Sequence, residues 1–346
     1  MILDTILAKK GRSLLRSKQL PAKWQDELKE ANVSLADLAT VLALPEKSLI
    51  EAHQATALFE LRVPKNYLNR IEKGNLNDPL LLEFLPKIEE TLTVPGYGKD
   101  PLEEGRFNPL PGLLHKYHGR VLVMLTSHCA INCRYCFRRN FPYQDNQISQ
   151  QGWQAILQYI EKDTSIHEVI LSGGDPLSAP DHFIQKRYDD LAKISHVNIV
   201  RFHTRFPILI PSRITDTFLN IISRSRLKTV MVFHINHANA LNDALLKENL
   251  KKLKHAGAQL FNQSVLLKGI NDSEVVLKSL SLALFAHDIL PYYLHQMDAV
   301  AGAAHFDVPR ETARTLLKSL SAQLPGYLVP KWVQEIPGET SKVPVL

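Results

Sequence analysis

Three cysteines in one short stretch are the residues best suited to chemistry. Cys129, Cys133 and Cys136 are the only cysteines in the 346-residue chain. Thiolates are the ligands that iron–sulfur clusters prefer, and three of them can hold three irons of a cubane. The fourth iron would then be open to another ligand. The Cys-x₃-Cys-x₂-Cys spacing therefore predicts an iron–sulfur cluster with one free coordination position.

Other uses of these cysteines fit less well. A structural zinc site takes four ligands, and His128, next to Cys129, is poorly placed to complete one. An odd number of cysteines packed this tightly also makes a poor disulfide framework for a chain of this length. A non-catalytic metal-binding module remains the alternative from a different functional class.

Further polar residues follow predicted strands where each strand ends. Gly173, Gly174 and Asp175 close one apolar run, and the cysteines follow another. Two later strands end in polar residues, His203 and Arg205 in one and His234 and Asn236 in the next, while Asn262 and Gln263 lie within the fifth strand and Asp298 follows the sixth. In parallel barrels the active site forms at the carboxyl ends of the strands. These residues are therefore predicted to meet in one site.

The elements that would position these residues alternate along the chain. Short β-rich runs at 121–127, 168–174, 198–205, 229–236, 259–267 and 290–297 are separated by amphipathic stretches. Such alternation indicates repeated βα units around a parallel sheet. A seventh run lies in LVPKWVQEI. The predicted fold class is α/β, a complete or partial (β/α) barrel.

The chain divides by composition into three parts. Residues 1–93 are predicted to form a helical N-terminal region. Residues 94–115 are rich in Pro and Gly and are predicted to be a linker. Residues 116–346 are predicted to form the barrel with a C-terminal segment.

Charge and hydropathy indicate where in the cell the protein is expected and which classes of partner it is expected to bind. The net charge of +6 is scattered along the chain, whereas nucleic-acid binders usually concentrate charge on one face. No run approaches the roughly 18 apolar residues of a membrane span. The N-terminus lacks the charge order of a secretory signal. A cytoplasmic protein that binds neither nucleic acid nor membrane is expected.

The cysteine motif, with Tyr135 before its last cysteine, resembles that of the radical S-adenosylmethionine superfamily. More of the chain resembles the lysine 2,3-aminomutase family, from about Asn66 to Lys342. The segments that carry the resemblance are HKYHGRVL, CRYCFRR, LSGGDPL, FHTRFPI…PSRIT, HINH, NQSVLLKGIND and PYYLHQMD…GAAHF. The chain is most similar to the shorter members, which make β-lysine for attachment to elongation factor P.

The resemblance implies three cofactors: a [4Fe-4S] cluster on the cysteines, S-adenosylmethionine and pyridoxal 5′-phosphate. Lys342 matches the lysine that holds pyridoxal phosphate covalently, and Tyr117 and Arg120 match contacts to its phosphate. The residues that the resemblance places near S-adenosylmethionine are Tyr135, Gly173, Gly174, Asp175, His234 and Gln263. The turn at 172–176 resembles the motif that contacts the methionyl amine, where the carboxylate of Asp175 could accept from an ammonium.

The resemblance also implies the substrate site. Arg138 matches the arginine that pairs with the carboxylate of lysine. Asp298 matches one of two carboxylates that hold the distal ammonium. Glu335 stands where the long aminomutases usually have the second, an aspartate.

The implied reaction converts L-lysine to β-lysine, with the R enantiomer expected. The implied partners are an electron donor such as a flavodoxin or ferredoxin, and a functional link to an elongation factor P lysyl ligase. The alternative within this fold is a radical enzyme that acts on another amino acid.

Overall fold

A nine-stranded sheet runs through the molecule, with its strands in sequence order. The computed structural model describes residues 23–45, 49 and 52–345. The strands are β1 (Leu113–Tyr117), β2 (Arg120–Thr126), β3 (Glu168–Gly173), β4 (Ile199–Thr204), β5 (Lys228–Phe233), β6 (Gln259–Val265), β7 (Leu290–His295), β8 (Lys331–Gln334) and β9 (Val343–Pro344).

The seven strands from β2 to β8 are parallel to one another. Parallel neighbours need a crossover connection, which is usually a helix. The main crossover helices are α6 (Gln150–Lys162), α7 (Asp181–Ala192), α9 (Asp216–Arg224), α10 (Ala244–His255), α11 (Glu274–Ala286) and α12 (Arg310–Gln323), and a short α8 (Phe206–Leu209) follows β4. Every residue of β3 is buried, as expected of a central parallel strand covered on both faces.

The sheet curves without closing. Residues of β1 to β4, β6 and β7 line one internal cavity, together with His234 just after β5 and Glu335 just after β8, so the strands curve around a common space. In the described part of the chain no pairing joins β1 to β9, and these two strands flank the parallel sheet in antiparallel orientation. The prediction of an α/β fold with a partial barrel is confirmed. The two flanking strands were not predicted, and β1 begins within the expected linker.

Helices dominate the described residues before the barrel, as predicted. They are α1 (Trp24–Lys29), α2 (Leu35–Leu42), α3 (Ala52–Leu58), α4 (Lys65–Leu68) and α5 (Pro79–Leu82). Ser34 and Asp37 form a reciprocal cap at the start of α2. The predicted helical character of residues 1–22 falls outside the described residues. The division of the chain at 94–115 stays a prediction.

Helix α5 and the barrel share a core. Asp78 caps α5 by accepting hydrogen bonds from the backbone N–H groups of Leu80 and Leu81. Those two leucines are fully buried in the same apolar cluster as the barrel residue Val169. The α5 segment is therefore packed firmly against the barrel. No helix among the described residues is long and apolar enough to cross a membrane.

Candidate active site

One internal cavity of about 380 Å³ collects most of the residues singled out in the sequence. The three cysteines, Arg138, Asp298 and Lys342 all line it. The other predicted residues that line it are Tyr117, Arg120, Tyr135, Gly173, Gly174, Asp175, His234, Gln263 and Glu335. Polar strand ends, scattered over more than two hundred positions of sequence, are thus brought together.

The cysteine loop connects β2 to α6 and is held at several points. All three cysteines are free, and each residue is half-buried. The backbone N–H of Arg134 donates to the carbonyl of Glu83 at 2.9 Å. The Arg134 guanidinium forms a fully buried pair with Glu90, with contacts of 2.8 and 2.6 Å. Burial raises the pKa of Cys136 to about 11. The loop is therefore fixed to the N-terminal region while its thiols face the cavity.

The cysteines are not arranged around a single ion. Among the described residues, no group of three or more His, Cys, Asp or Glu side chains could hold one metal ion. A mononuclear zinc site needs about four such ligands around one point. A cubane instead takes each thiolate on a different iron. A cubane whose fourth iron binds another ligand needs three thiolates from the protein, and the chain has three cysteines.

The two glycines of the turn after β3 allow close backbone packing. Gly173 has φ +119°, and a Cβ there would lie 2.2 Å from the carbonyl oxygen of Thr126. A Cβ on Gly174 would lie 2.5 Å from the carbonyl oxygen of His128. Both contacts are shorter than atoms tolerate, so only glycine lets this turn reach the start of the cysteine loop.

The Asp175 carboxylate faces the protein. Its Oδ1 accepts from Thr204 Oγ1 at 2.7 Å and from Leu177 N at 3.0 Å. Its Oδ2 accepts from the backbone N–H groups of Arg205 and Phe206 at 2.7 and 3.0 Å. Four bonds use about all the acceptor positions of a carboxylate. Its oxygens tie the end of β3 to the end of β4, and the expected contact of this carboxylate with a ligand's ammonium stays a prediction.

Tyr135 belongs to a buried polar network. Its hydroxyl donates to Glu83 at 2.9 Å and accepts from Arg205 Nη1 at 2.8 Å. The edge of its ring meets Phe306, with ring centroids 6.2 Å apart. Sequence reasoning missed Glu83 and gave Arg205 no task. The signal for Glu83 was a single acidic residue inside the apolar run PLLLEFL, since a lone buried carboxylate needs a partner.

Arg138 is already paired in this structure. Its Nε and Nη2 donate to the two carboxylate oxygens of Glu104 at 2.8 and 2.6 Å. Its Nη1 donates to Ser172 Oγ at 3.2 Å. Both partners of the ion pair are buried. Glu104 lies in the predicted linker and was missed for that reason. It fixes the guanidinium and leaves the Nη1 side for another acceptor.

Lys342 shares a carboxylate with a second lysine. Lys342 Nζ lies 2.7 Å from Glu335 Oε2, and Lys116 Nζ lies 2.7 Å from Glu335 Oε1. Burial alone would raise the pKa of Glu335, but the two ammonium groups hold it well below its usual range. Glu335 is therefore ionised at any pH near neutrality. Sequence reasoning missed Lys116, which precedes the predicted phosphate contact Tyr117.

The pKa of Asp298 is shifted in the opposite direction to that of Glu335. Its carboxylate receives no hydrogen bond from any described residue, and burial together with the charge of Glu335 raises its pKa to about 7. A partly buried carboxylate without a partner is stabilised by an incoming cation. Asp298 is therefore suited to receive an ammonium group.

Arg120 has donors to spare. Its guanidinium lies over the ring of Tyr117, 4.7 Å from the centroid. It makes no hydrogen bond or ion pair with any described residue. A free guanidinium inside a cavity is a ready partner for phosphate oxygens. The pair at the end of β1 and the start of β2 suits the phosphate contact that the resemblance implies.

Two partly buried histidines line the same space. His234 Nε2 lies 2.8 Å from the side-chain amide nitrogen of Gln263. Burial lowers the pKa of His234 to about 3 and takes the pKa of His203 well below its usual range. Both rings are neutral at physiological pH, so they offer hydrogen bonds without adding positive charge.

An open parallel barrel with a three-cysteine loop at its carboxyl edge defines a radical S-adenosylmethionine enzyme. A family model described as "4Fe-4S single cluster domain" matches residues 117–196, which contain all three cysteines. A solved radical SAM methyltransferase from Sphaerobacter thermophilus is similar with a TM-score of 0.42 and 16% identity, over 64% of this chain and 68% of that chain.

Three similar curated proteins carry the same name. L-lysine 2,3-aminomutase of Escherichia coli K12 is 44% identical, over 93% of this chain and 94% of its own length. The Haemophilus influenzae protein of the same name is 46% identical, over 92% and 94%. That of Clostridium subterminale is 31% identical, over 93% of this chain and 77% of its own length. The chain belongs to the lysine 2,3-aminomutase family.

Membership brings a [4Fe-4S] cluster, S-adenosylmethionine and pyridoxal phosphate, and the residues present fit the cluster and pyridoxal phosphate. The thiols of Cys129, Cys133 and Cys136 supply the cluster's ligand chemistry. Lys342 offers a primary amine, and Arg120 has unused phosphate donors in the same cavity. These groups belong to different elements, yet they meet without any change in the fold.

Proposed function

We propose that this protein converts L-lysine to (R)-β-lysine, with the residues of this cavity in the roles described below. One observation carries the proposal: the cysteines, Lys342, Arg138 and Asp298 line the same space. Cluster, cofactor and substrate groups must be adjacent for a radical to pass from one to the next. When bound, the cluster and S-adenosylmethionine supply a 5′-deoxyadenosyl radical, and pyridoxal phosphate supplies an electron-accepting ring.

The two ends of lysine find opposite charges in the cavity. Arg138 keeps its Nη1 side available and would take the carboxylate of the substrate. Asp298 lacks a hydrogen-bond donor among the described residues and would take the distal ammonium. An acidic amino acid would place a carboxylate beside Asp298 and Glu335, which is unfavourable. This favours lysine over the alternative of another substrate.

Glu335 supports the same assignment through exchange of cations. Its Oε2 is bound by the Lys342 ammonium in this structure. While Lys342 would hold the cofactor, that oxygen would be free to receive the ammonium of an arriving substrate. Lys116 would continue to hold Oε1 and keep the carboxylate oriented. The local charge balance is the same before and after the exchange.

The protein's remaining task is to align the groups and exclude water. His203 and His234 are neutral and line the cavity, so they do not compete with Arg138 for the substrate carboxylate. Glu104 holds Arg138 in one orientation through two hydrogen bonds. A fixed, enclosed site protects a radical from side reactions.

The wider role extends this proposal. The similarity to the E. coli and H. influenzae proteins over 94% of their lengths supports kinship with the shorter members. From that kinship we infer that the product is the R enantiomer and serves modification of elongation factor P, in functional association with its lysyl ligase. A flavodoxin or ferredoxin would supply the electron. The three free thiols support a cytoplasmic location.

Anaerobic incubation of the reconstituted protein with L-lysine, S-adenosylmethionine, pyridoxal phosphate and dithionite tests the proposal, with chiral chromatography as the readout. Formation of (R)-β-lysine is expected. Cleavage of S-adenosylmethionine without β-lysine would retain the radical chemistry and overturn the substrate. Formation of the S enantiomer would retain the reaction and overturn the stereochemical assignment.

A further inference from the structure

Arg205 contacts a cluster ligand directly. It follows β4, and its Nη1 lies 3.0 Å from the sulfur of Cys133. The same nitrogen lies 2.8 Å from the hydroxyl of Tyr135. Its side chain is 6% exposed, so water does not screen its charge to any extent. A buried cation therefore sits against one corner of the cysteine loop.

The guanidinium is held from several sides. Its Nη2 lies 2.6 Å from Glu83 Oε2 and 3.3 Å from the hydroxyl of Tyr67. The backbone N–H of Arg205 is fixed by Asp175 at 2.7 Å. A planar guanidinium bound at both terminal nitrogens cannot turn away from the sulfur. The contact with Cys133 is a built feature of the fold.

The carboxylate of Glu83 accepts hydrogen bonds from several side chains. Besides Arg205 it accepts from Tyr135 at 2.9 Å and from Asn236 Nδ2 at 3.1 Å, all at Oε2. These neutral donors spread part of its negative charge. Arg205 Nε is buried and has no acceptor among the described residues. Glu83 Oε1 is likewise buried and has no donor among the described residues, so the Glu83–Arg205 pair is held through Oε2 alone.

We propose that Arg205 sets the reduction potential of the cluster by donating a hydrogen bond to the Cys133 sulfur and by placing a positive charge beside it. Reduction adds one negative charge to the cluster. Donors and cations next to the ligating sulfurs stabilise the reduced form more than the oxidised form, which raises the potential. Arg205 is thus a positioning residue that acts through Cys133. The inference rests on the cluster, which iron analysis checks separately.

The test is a potentiometric titration of the reconstituted enzyme, followed by electron paramagnetic resonance of the reduced cluster. Arg205→Met removes both the charge and the hydrogen bond, and Arg205→Lys retains the charge but lacks the planar donor. At a fixed ambient potential we expect the ratio of reduced to oxidised cluster to fall about tenfold in Arg205→Met, equal to about 59 mV for one electron. Arg205→Lys should fall between this variant and the unmodified enzyme.

Arg213→Lys is the matched control. Arg213 is also a buried arginine paired with a carboxylate, that of Asp181, and it donates to two backbone carbonyls. It contacts no cysteine sulfur, so its substitution should leave the ratio unchanged. Full iron content with an unchanged ratio in both Arg205 variants would overturn the proposal, whereas loss of iron in the unmodified protein would overturn the cluster itself.

A variant that retains Arg205 covers the case in which its substitution prevents cluster assembly. Glu83→Gln preserves shape and removes the negative charge that offsets the guanidinium. The reduced form should then become more favourable, and the ratio should rise. An unchanged or lower ratio in Glu83→Gln would contradict the proposed charge coupling.

Discussion

The Lys342 ammonium and the Glu335 carboxylate lie 2.7 Å apart at the C-terminal end of the barrel, and both are largely buried. A second lysine, Lys116, binds the other oxygen of the same carboxylate at 2.7 Å. One glutamate therefore separates two cations inside the cavity. Each of its two oxygens holds one of the lysines.

Removing the charge of Glu335 should lower the free energy of unfolding. In Glu335→Gln two ammonium groups would face a neutral amide in a buried site, and breaking such a pair costs about 3 kcal/mol of unfolding free energy. Chemical denaturation of the cofactor-free protein measures this, with Glu339→Gln on the exposed turn nearby as the control. Glu335→Asp should lose less, because it keeps the charge while reaching only one lysine. Equal stability of Glu335→Gln and the unmodified protein would mean that the carboxylate does not hold the lysines together.

Asp298 should impose a pH dependence on lysine binding. Its pKa of about 7 means that the carboxylate that binds an ammonium is mostly protonated at pH 6 and mostly ionised at pH 8. The KM for lysine should therefore fall about tenfold between these pH values. In Asp298→Asn the KM should be high throughout and lose this component of its pH profile. Asp307→Asn, outside the cavity lining, should keep the profile of the unmodified enzyme.

Stability gives an independent check on the same group. The folded-state pKa of Asp298 lies above its ordinary value of 3.8, so the folded protein binds the extra proton more tightly than the unfolded chain does. This contribution lowers stability as the pH rises from about 4 to 7. Asp298→Asn should therefore raise the free energy of unfolding of the cofactor-free protein at pH 8 and have little effect at pH 4. The same increase at both pH values would rule out titration as the cause.

Lys342 should be required for retention of the cofactor and not for the cluster. Lys342→Ala should keep its iron and its brown colour, and after removal of free pyridoxal phosphate it should lose the cofactor's protein-bound absorbance. Exposed Lys331 on β8 is the control, because Lys331→Ala leaves the cavity intact. Retained cofactor absorbance in Lys342→Ala would remove the residue from its assigned role.

The parallel strands could be predicted because their signal is local. A buried β-branched run such as that in β3 carries its own evidence in consecutive residues. Strand β9 contains only Val343 and Pro344 and exists through its pairing with β8. No pattern within two residues could indicate that. The cysteine site could be predicted equally well from the sequence, since all three ligands lie on one loop.

The ion pairs of the site could not be predicted in this way. Glu104 lies 34 residues from Arg138, and Lys116 lies 219 residues from Glu335. No periodicity connects such positions, and each partner alone has the appearance of an ordinary surface charge. The Asp175 carboxylate shows the same limit, because its engagement with Thr204 and Arg205 depends on two strands being adjacent. Residue type indicated that Asp175 matters, but only the packing determined what it binds.

Loss of one cysteine should remove the cluster rather than weaken it. Cys129 stands alone at the start of the loop, three residues from Thr126 at the end of β2, and no spare thiol exists in the chain to replace it. Cys129→Ala should therefore fail to retain iron and acid-labile sulfide after reconstitution and lose all turnover. Ser127→Ala, at an exposed position of the same loop, should retain the iron and sulfide content of the unmodified protein.

Since burial raises the pKa of Cys129 in the cluster-free protein, cluster assembly must release its proton, and reconstitution should become faster as the pH rises. Full iron content in Cys129→Ala would show that the other two cysteines suffice and that the three-thiolate assignment is wrong.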